Sequence, residues 1–178
     1  DSVDRYSVEY IRGLHDYGML STAKHFPGHG DTETDSHSAL AQIPSDSSRL
    51  WTIELPPFKS AIDAGVDAVM VAHVNAPDFQ DHAQDPATLS KFWMQDILRD
   101  QLGFKGVIIT DAMRMGGIIK NYSDEYALVT TIQAGSNIII QNMNLKKSID
   151  TIERAVIDGV ILKKQINESA LKVLKMKE

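Results

Sequence analysis

The chain has 178 residues, of which 43% are hydrophobic and 24% are charged, which is typical of a globular domain with its own core and excludes a predominantly disordered chain. Its formal net charge of −6 and scattered basic residues argue against a nucleic-acid partner. No apolar stretch approaches the roughly 20 residues of a membrane-spanning helix. Because cysteine is absent, disulfides, thiolate metal ligands and a cysteine nucleophile are excluded. The chain begins with neither a secretory signal nor methionine, so we assign no localisation.

Helical and extended patterns alternate along the chain. Apolar spacing predicts helices at 7–17, 53–64, 89–102, 123–134, 145–158 and 167–176, the last capped by Asn167 and Glu168. Short β-branched runs predict buried strands at 19–26, 67–74, 106–110 and 136–140. Four glycines follow helices, where a left-handed cap is common: Gly18, Gly65, Gly103 and Gly135. This order predicts one α/β domain over 1–178 with a parallel sheet, either doubly wound or part of a (β/α)8 barrel.

Three polar residues lie at the ends of predicted strands. His25, His73 and Asp111 each lie at the carboxyl end of one, and this is the edge at which barrels carry active sites. A complete barrel has eight βα units over roughly 250 residues, and the four units of this chain are half that number. The position of these residues favours a TIM-type barrel, of which the chain would be about half.

Segment 24–37, KHFPGHGDTETDSH, combines a lysine, three histidines and several acids on one strand end and the following loop. Asp35 lies two residues before His37 and could accept a hydrogen bond from its imidazole, an arrangement suited to proton transfer. Turn-forming polar loop residues are the simpler interpretation of any single histidine. A metal bound by His25, His29 and His37 is the competing chemical hypothesis, but without cysteines or a helical His-Glu-x-x-His motif we predict neither metal nor cofactor.

Segment 106–115, GVIITDAMRM, ends an apolar strand in a carboxylate. Rigid backbone would hold Asp111 at the edge of the sheet, which suits a nucleophile. A helix cap or an ion pair with Arg114 is an equally good interpretation of this pattern.

These two segments resemble glycoside hydrolase family 3, specifically its β-N-acetylglucosaminidases. KHFPGHG with Asp35-Ser36-His37 is similar to the family signature, and Ile109-Thr110-Asp111 with Met115 is similar to its nucleophile segment. Further likeness extends over ELPPF at 54–58, VMVAH at 69–73 and LGFKG at 102–106, and so over nearly the whole chain.

The resemblance implies a retaining glycosidase that cleaves terminal β-N-acetylglucosaminides. Asp111 would be the nucleophile, His37 the general acid and base, and Asp35 its orienting partner. Lys24 and His25 match family positions that bind the sugar hydroxyls. His73 is expected only to line the pocket.

The same resemblance assigns the chain to the C-terminal half of the family's catalytic barrel. Upstream aspartate and arginine positions that grip the sugar have no counterpart here, so the missing N-terminal half is an expected partner and the isolated segment is expected to be inactive. A carbohydrate, including muropeptides from peptidoglycan turnover, is the expected substrate. Two alternatives stay open: a family 3 β-glucosidase or β-xylosidase, and an inactive half-barrel that acts as a sugar-binding or assembly module.

Overall fold

A computed structural model describes residues 2–30, 41–43, 47–76, 85–141 and 144–178. Its strands are β1 (Thr22–Phe26), β2 (Ala41–Gln42), β3 (Ala68–Val71), β4 (Val74–Asn75) and β5 (Val107–Thr110). Its α-helices are α1 (Ser2–Asp16), α2 (Ser47–Arg49), α3 (Leu55–Asp63), α4 (Gly116–Ile119), α5 (Asp124–Ala134), α6 (Leu145–Ile157) and α7 (Lys163–Lys177). Wider π-type turns at Leu50–Glu54 and Phe92–Gln101 and a 3-10 turn at Ala87–Leu89 complete the described elements.

The main sheet is parallel, with strand order β1-β3-β5. Ala68 of β3 lies between Thr22 of β1 and Val107 of β5, so the three strands begin and end at common edges. β3 and β5 are apolar on both faces because helices cover them, the pattern expected of parallel strands. This confirms the α/β class and three of the predicted strands, each shorter than expected.

The fourth predicted strand, 136–140, forms only one bridge, between Ile138 and Ile109. Side chains replace main-chain partners around that bridge: Asn137 Oδ1 accepts the backbone N–H of Ile108 at 2.9 Å, and Thr110 Oγ1 accepts that of Ile140 at 3.2 Å. The segment therefore runs beside β5 without a regular ladder.

Helix positions follow the apolar spacing, and the predicted ends differ most in three places. The first helix begins at Ser2, five residues before the predicted start at Ser7. The predicted helix 89–102 is interrupted at Ser90, whose backbone is extended (φ −105°, ψ 118°). The last helix begins at Lys163, four residues before the predicted cap at Asn167, because extended Leu162 precedes it and Lys163, Lys164 and Gln165 are good helix formers. Gly65 (φ 88°) and Gly135 (φ 123°) have the left-handed backbone predicted for them.

The core lies between the sheet and its helices and is aromatic beneath the end of β1. Phe26 is fully buried, with its ring centroid 5.2 Å from Phe58 of α3 and 6.1 Å from Trp93. Edge-to-face contacts of this kind add to the free energy of burial. The end of β1 is thereby fixed to two helices although β1 lies at the edge of the sheet.

The amino-terminal edge of the sheet carries a polar cluster. Oδ2 of Asp67 accepts hydrogen bonds from the backbone N–H of Ser21 (2.7 Å) and from its hydroxyl (2.9 Å), and lies 2.9 Å from Nε2 of His15. Burial alone would raise the pKa of Asp67, but these hydrogen bonds outweigh it and lower the pKa below its usual value. The cluster ties α1 to β3.

No helix in the described ranges has the length and apolar character to cross a membrane.

Candidate active site

Two of the predicted residues meet at the carboxyl edge of the sheet. His25 belongs to β1 and Asp111 immediately follows β5, and because the strands are parallel both lie at that edge. Nε2 of His25 is 4.0 Å from Oδ2 of Asp111, with the two side chains 33% and 15% exposed. The two sequence motifs therefore approach each other at this pair of residues, and both side chains reach solvent.

The carboxylate of Asp111 is held from its own backbone. Oδ1 accepts the N–H of Ala112 at 2.7 Å, while the N–H of Asp111 donates to the carbonyl of Val71 at 2.9 Å. With one oxygen engaged locally, the other oxygen, Oδ2, faces His25. This arrangement suits a carboxylate that attacks with one oxygen while the other is held in place.

Lys24 and His25 lie in the last three residues of β1, just before the turn that follows it. Lys24 is exposed, and the ring of His25 lies 6.0 Å from that of His29. The turn is closed by the N–H of Gly28, which donates to the carbonyl of His25 at 2.9 Å. The peptide bonds Lys24–His25 and Phe26–Pro27 are cis.

Gly28 has φ 138°, and a Cβ there would lie 2.5 Å from Oε2 of Glu54. Glu54 is itself largely buried and pairs with Arg49 at 3.6 Å. The acid thus supports the turn from the start of α3. Sequence reasoning assigned it no role, although it opens the ELPPF segment.

His73 has a different setting from that of a pocket-lining residue. Its side chain is fully buried, Nδ1 lies 2.8 Å from the hydroxyl of Thr88, and Nε2 donates to the carbonyl of Ala112 at 2.9 Å. Burial lowers the pKa of His73 below its usual value, against the opposing effects of the Ala112 hydrogen bond and the charge of Asp111. Because a carbonyl oxygen can only accept, Nε2 carries a proton.

The remaining predicted residues, Asp35 and His37, lie in 31–40, outside the described residues. The described chain nevertheless fixes both flanks of that segment: β1 and its turn precede it, and β2, which pairs in parallel with β4, follows it. Since β4 begins one residue after His73, both flanks lie near the carboxyl edge of the sheet. Within the described ranges, no three His, Asp or Glu side chains are grouped as a metal site would need.

A cavity of ≈ 730 Å³ lies against β1, between α1, the turn after β1 and α3. Its wall includes Lys24, His25 and Glu54 together with apolar groups of Tyr6, Tyr10, Ile53 and Phe58. Asp111 does not line it, so the cavity follows the outer edge of β1 and lies to one side of the carboxylate. A second cavity, ≈ 680 Å³, lies at the opposite edge beside Asp67 and Lys105.

Known proteins match both the sequence and the structure. Residues 1–176 match the glycosyl hydrolase family 3 N terminal domain. A beta-hexosaminidase from Stenotrophomonas maltophilia (strain K279a) is 45% identical over 113 residues, which cover 64% of this chain and 33% of that protein.

Solved structures agree. A family 3 beta-N-acetylglucosaminidase from Paenibacillus sp. str. FPU-7 superposes with a TM-score of 0.92 at 40% identity, over 98% of this chain and 34% of that one. The beta-glucoside phosphorylase BglX gives a TM-score of 0.92 at 28% identity, over 98% of this chain and 33% of that one. The chain thus spans about a third of the length of these relatives. From the match over 1–176 and these superpositions, the chain belongs to glycoside hydrolase family 3.

Proposed function

We propose that this chain is the nucleophile-bearing part of a retaining glycosidase that releases terminal β-linked N-acetylglucosamine. The longer protein that contains it in this proposal is called the parent enzyme below. The observation that carries the proposal is the approach of His25 Nε2 to Asp111 Oδ2, 4.0 Å, at the carboxyl edge of the sheet. The names of the hexosaminidase and acetylglucosaminidase relatives support the substrate class.

In the first step, Oδ2 of Asp111 attacks the anomeric carbon, and the bond from that carbon to the aglycone oxygen breaks. The departing oxygen takes a proton from His37. The product of this step is a glycosyl ester on Asp111. The engagement of Oδ1 by the N–H of Ala112 supports Oδ2 as the attacking atom.

In the second step, water attacks the anomeric carbon from the face that the aglycone left and gives its proton to His37. Asp111 departs as a carboxylate, and the sugar is released with its original configuration. Asp35 orients the imidazole. An unperturbed histidine has a pKa near 6.5, so it can hold and release a proton at neutral pH without the burial that a carboxylate would need.

The position of segment 31–40 in the chain supports this role for His37. Three residues, 38–40, lie between His37 and Ala41 of β2, and an extended chain covers at most ~3.6 Å per residue. Because β2 pairs with β4 next to the carboxyl edge, His37 is within chain reach of that edge.

Lys24 and His25 would bind the hydroxyls of the sugar that is cleaved. Both lie at the end of β1, and both line the cavity along its outer edge. In this proposal the sugar lies above Asp111 with its hydroxyls directed toward β1. Muropeptides and chitin-derived sugars both present the terminal residue that such a site would accept.

We also propose that the sheet is half of a (β/α)8 barrel, with the other half in the parent enzyme. β1 has a strand partner only on its β3 side among the described residues, and the cavity along its other edge is walled by apolar groups. A further parallel strand would fill this space. The isolated chain would then lack part of the pocket and be inactive.

Phosphate is a second candidate acceptor in place of water, because BglX, the beta-glucoside phosphorylase, superposes so well. A neutral His37 would not repel an incoming anion, whereas an ionised carboxylate in that position would. We expect mainly hydrolysis, with some sugar 1-phosphate formed at millimolar phosphate. Mass spectrometry of the products with and without phosphate tests this, and the absence of both sugar phosphate and rate acceleration would exclude phosphate as an acceptor.

The substrate class is tested by assaying the parent enzyme on aryl β-N-acetylglucosaminide and aryl β-glucoside. We expect kcat/KM to be at least about 100-fold higher for the acetamido sugar, since a site that hydrogen-bonds a substrate group discriminates strongly against its absence. The first product anomer, observed by NMR, should be β. A preference for the glucoside would assign a β-glucosidase, an α product would exclude double displacement, and inactivity on both would favour a sugar-binding module.

A further inference from the structure

The described residue that most directly connects the core to the proposed nucleophile is His73. It lies between β3 and β4, is fully buried, and contacts two segments distant in sequence. Through Nε2 it donates to Ala112, the residue after Asp111, and through Nδ1 it contacts Thr88. Buried polar groups of this kind are costly unless satisfied, so both contacts constrain their partners.

The Ala112 contact acts on the carboxylate through one short covalent segment. The carbonyl of Ala112 accepts from His73, and its N–H donates to Oδ1 of Asp111. Ala112 is therefore held from the core on one side and holds the carboxylate on the other. The Ala112 carbonyl also accepts from the N–H of Met115 at 3.0 Å, so loss of the His73 bond would leave it held only by this local turn, which does not reach the core. The Ala112 backbone could then shift and change the direction of Oδ2.

The Thr88 side of the ring is anchored separately. The hydroxyl of Thr88 donates to the carbonyl of Ala72 at 2.6 Å, and the backbone carbonyl of Thr88 accepts from the hydroxyl of Thr131 at 2.7 Å. Thr88 and Thr131 are both fully buried. On its Nδ1 side, His73 thus contacts fully buried residues that are themselves hydrogen-bonded. Its Nε2 contact is the one directed at the active site.

We infer that His73 is a positioning residue for Asp111: its Nε2–H bond to the Ala112 carbonyl fixes the direction in which the carboxylate attacks. The inference rests on the proposed role of Asp111 as nucleophile. It replaces the pocket-lining role predicted from the sequence, because a fully buried ring with both nitrogens in protein contacts does not touch the sugar.

The test compares two substitutions in the parent enzyme that keep different halves of the imidazole. In His73→Gln the amide nitrogen can occupy the position of Nε2 and keep the Ala112 bond, whereas in His73→Asn it can reach only the position of Nδ1 and the Ala112 bond is lost. His73→Met loses both. The readout is the rate of glycosyl-enzyme formation on a dinitrophenyl N-acetylglucosaminide, which needs no proton from His37.

We expect His73→Asn and His73→Met to slow this step about 10- to 100-fold, as a misdirected attacking atom does. KM should change less than about threefold, and His73→Gln should retain the rate within about threefold. Ser148→Ala is the matched control: it removes a buried hydroxyl of α6 that donates to the carbonyl of Asn144, outside the chain of contacts through His73, and should lower Tm without changing the rate.

A wild-type rate in His73→Asn or His73→Met would overturn the inference. So would a His73→Gln enzyme that folds but forms the glycosyl-enzyme about 10-fold or more slowly than the wild type. That outcome keeps the test decisive if His73→Asn and His73→Met do not fold. Asp111→Gly is assayed in parallel. If that variant stays active, the proposed nucleophile is wrong; if it is inactive while His73→Asn is normal, only the positioning role fails.

Discussion

The two strand ends that form the candidate site are held in different ways. Asp111 follows β5, which has β3 on one side and the Ile138 bridge on the other, and its backbone N–H is bonded to Val71. His25 belongs to β1, which has a partner only on its β3 side within the described chain. Asp111 thus lies where the sheet has neighbouring segments on both sides (the centre), and the residues proposed to bind the sugar lie at its edge.

The difference separates two kinds of dependence. The position of Asp111 depends on contacts contained in this chain, through Ala112 and His73. Lys24 and His25 depend on packing below the strand, where Phe26 meets Phe58 and Trp93, and on the turn supported by Glu54. Substitutions at the centre should affect chemistry, and substitutions at the edge should affect substrate binding and assembly.

The largest effect is expected at the centre. Asp111→Gly in the parent enzyme should reduce turnover by at least about 10⁴-fold, as loss of a covalent nucleophile does, while substrate binding and Tm are retained. Steady-state kinetics on an activated aryl glycoside measures this. Asp63→Ala, which removes a carboxylate from the exposed end of α3, is the control and should keep full activity. A substantial residual rate in the glycine variant would show that another group attacks.

The open edge of β1 should determine whether the isolated chain is monomeric or self-associates. Tyr6 and Tyr10 of α1 are 65% and 71% exposed beside the cavity along β1, and an uncovered strand edge with apolar neighbours promotes association. We expect the 178-residue chain to self-associate and bind a hydrophobic dye. Light scattering and cooperative melting test this. A monomer with a sharp transition and little dye binding would mean that the edge needs no partner.

Alanine substitutions at two glycines should affect activity and stability separately. Alanine at Gly28 would be strained by its positive φ and would displace Glu54, whereas alanine at Gly135 would displace Gln95, far from the site. Gly28→Ala should lower kcat/KM about tenfold by moving the turn after His25. Gly135→Ala should instead lower the free energy of unfolding by about 1–3 kcal/mol with kcat/KM per folded molecule unchanged. The reverse pattern would mean that the turn does not hold the substrate.

The smallest effect on activity is expected at the opposite edge of the sheet. Asp67→Asn should lower the free energy of unfolding by about 1.5–3 kcal/mol at pH 7, since hydrogen bonds to a charged group are lost, without changing kcat. Because folding lowers the pKa of Asp67, its contribution is complete above the unfolded value of 3.8 and is lost as pH falls through the folded value. Denaturation curves of both proteins should therefore converge in acid. A constant difference would indicate that the carboxylate charge is irrelevant.

Local patterns predicted much of this molecule. The apolar runs predicted at 19–26, 67–74 and 106–110 contain the three strands of the main sheet, and these runs placed His25 and Asp111 at one edge. The left-handed backbone of Gly65 and Gly135 was also predicted. Contacts between residues distant in sequence could not be predicted from such local patterns.

Three features illustrate this limit. The partner of His73 lies 15 residues away at Thr88, just before the predicted helix 89–102, and the apolar spacing gave no sign of this contact. The irregular fourth strand arises because Asn137 Oδ1 takes a main-chain place in the pairing with Ile108. Arg99, whose pKa burial lowers to about 10, donates to the carbonyls of Phe104 and Gly106, a link that charge alone did not reveal.

If Asp111 is the nucleophile, it forms a covalent bond to the sugar during turnover. The direct measurement is mass spectrometry of the parent enzyme treated with a slowly deglycosylating fluorinated N-acetylglucosaminide, followed by proteolysis and peptide sequencing. One sugar should be attached per protein molecule, on the peptide that contains Asp111, and the adduct should be absent from Asp111→Gly. A sugar attached to another carboxylate, or active enzyme that never accumulates an adduct, would contradict the account.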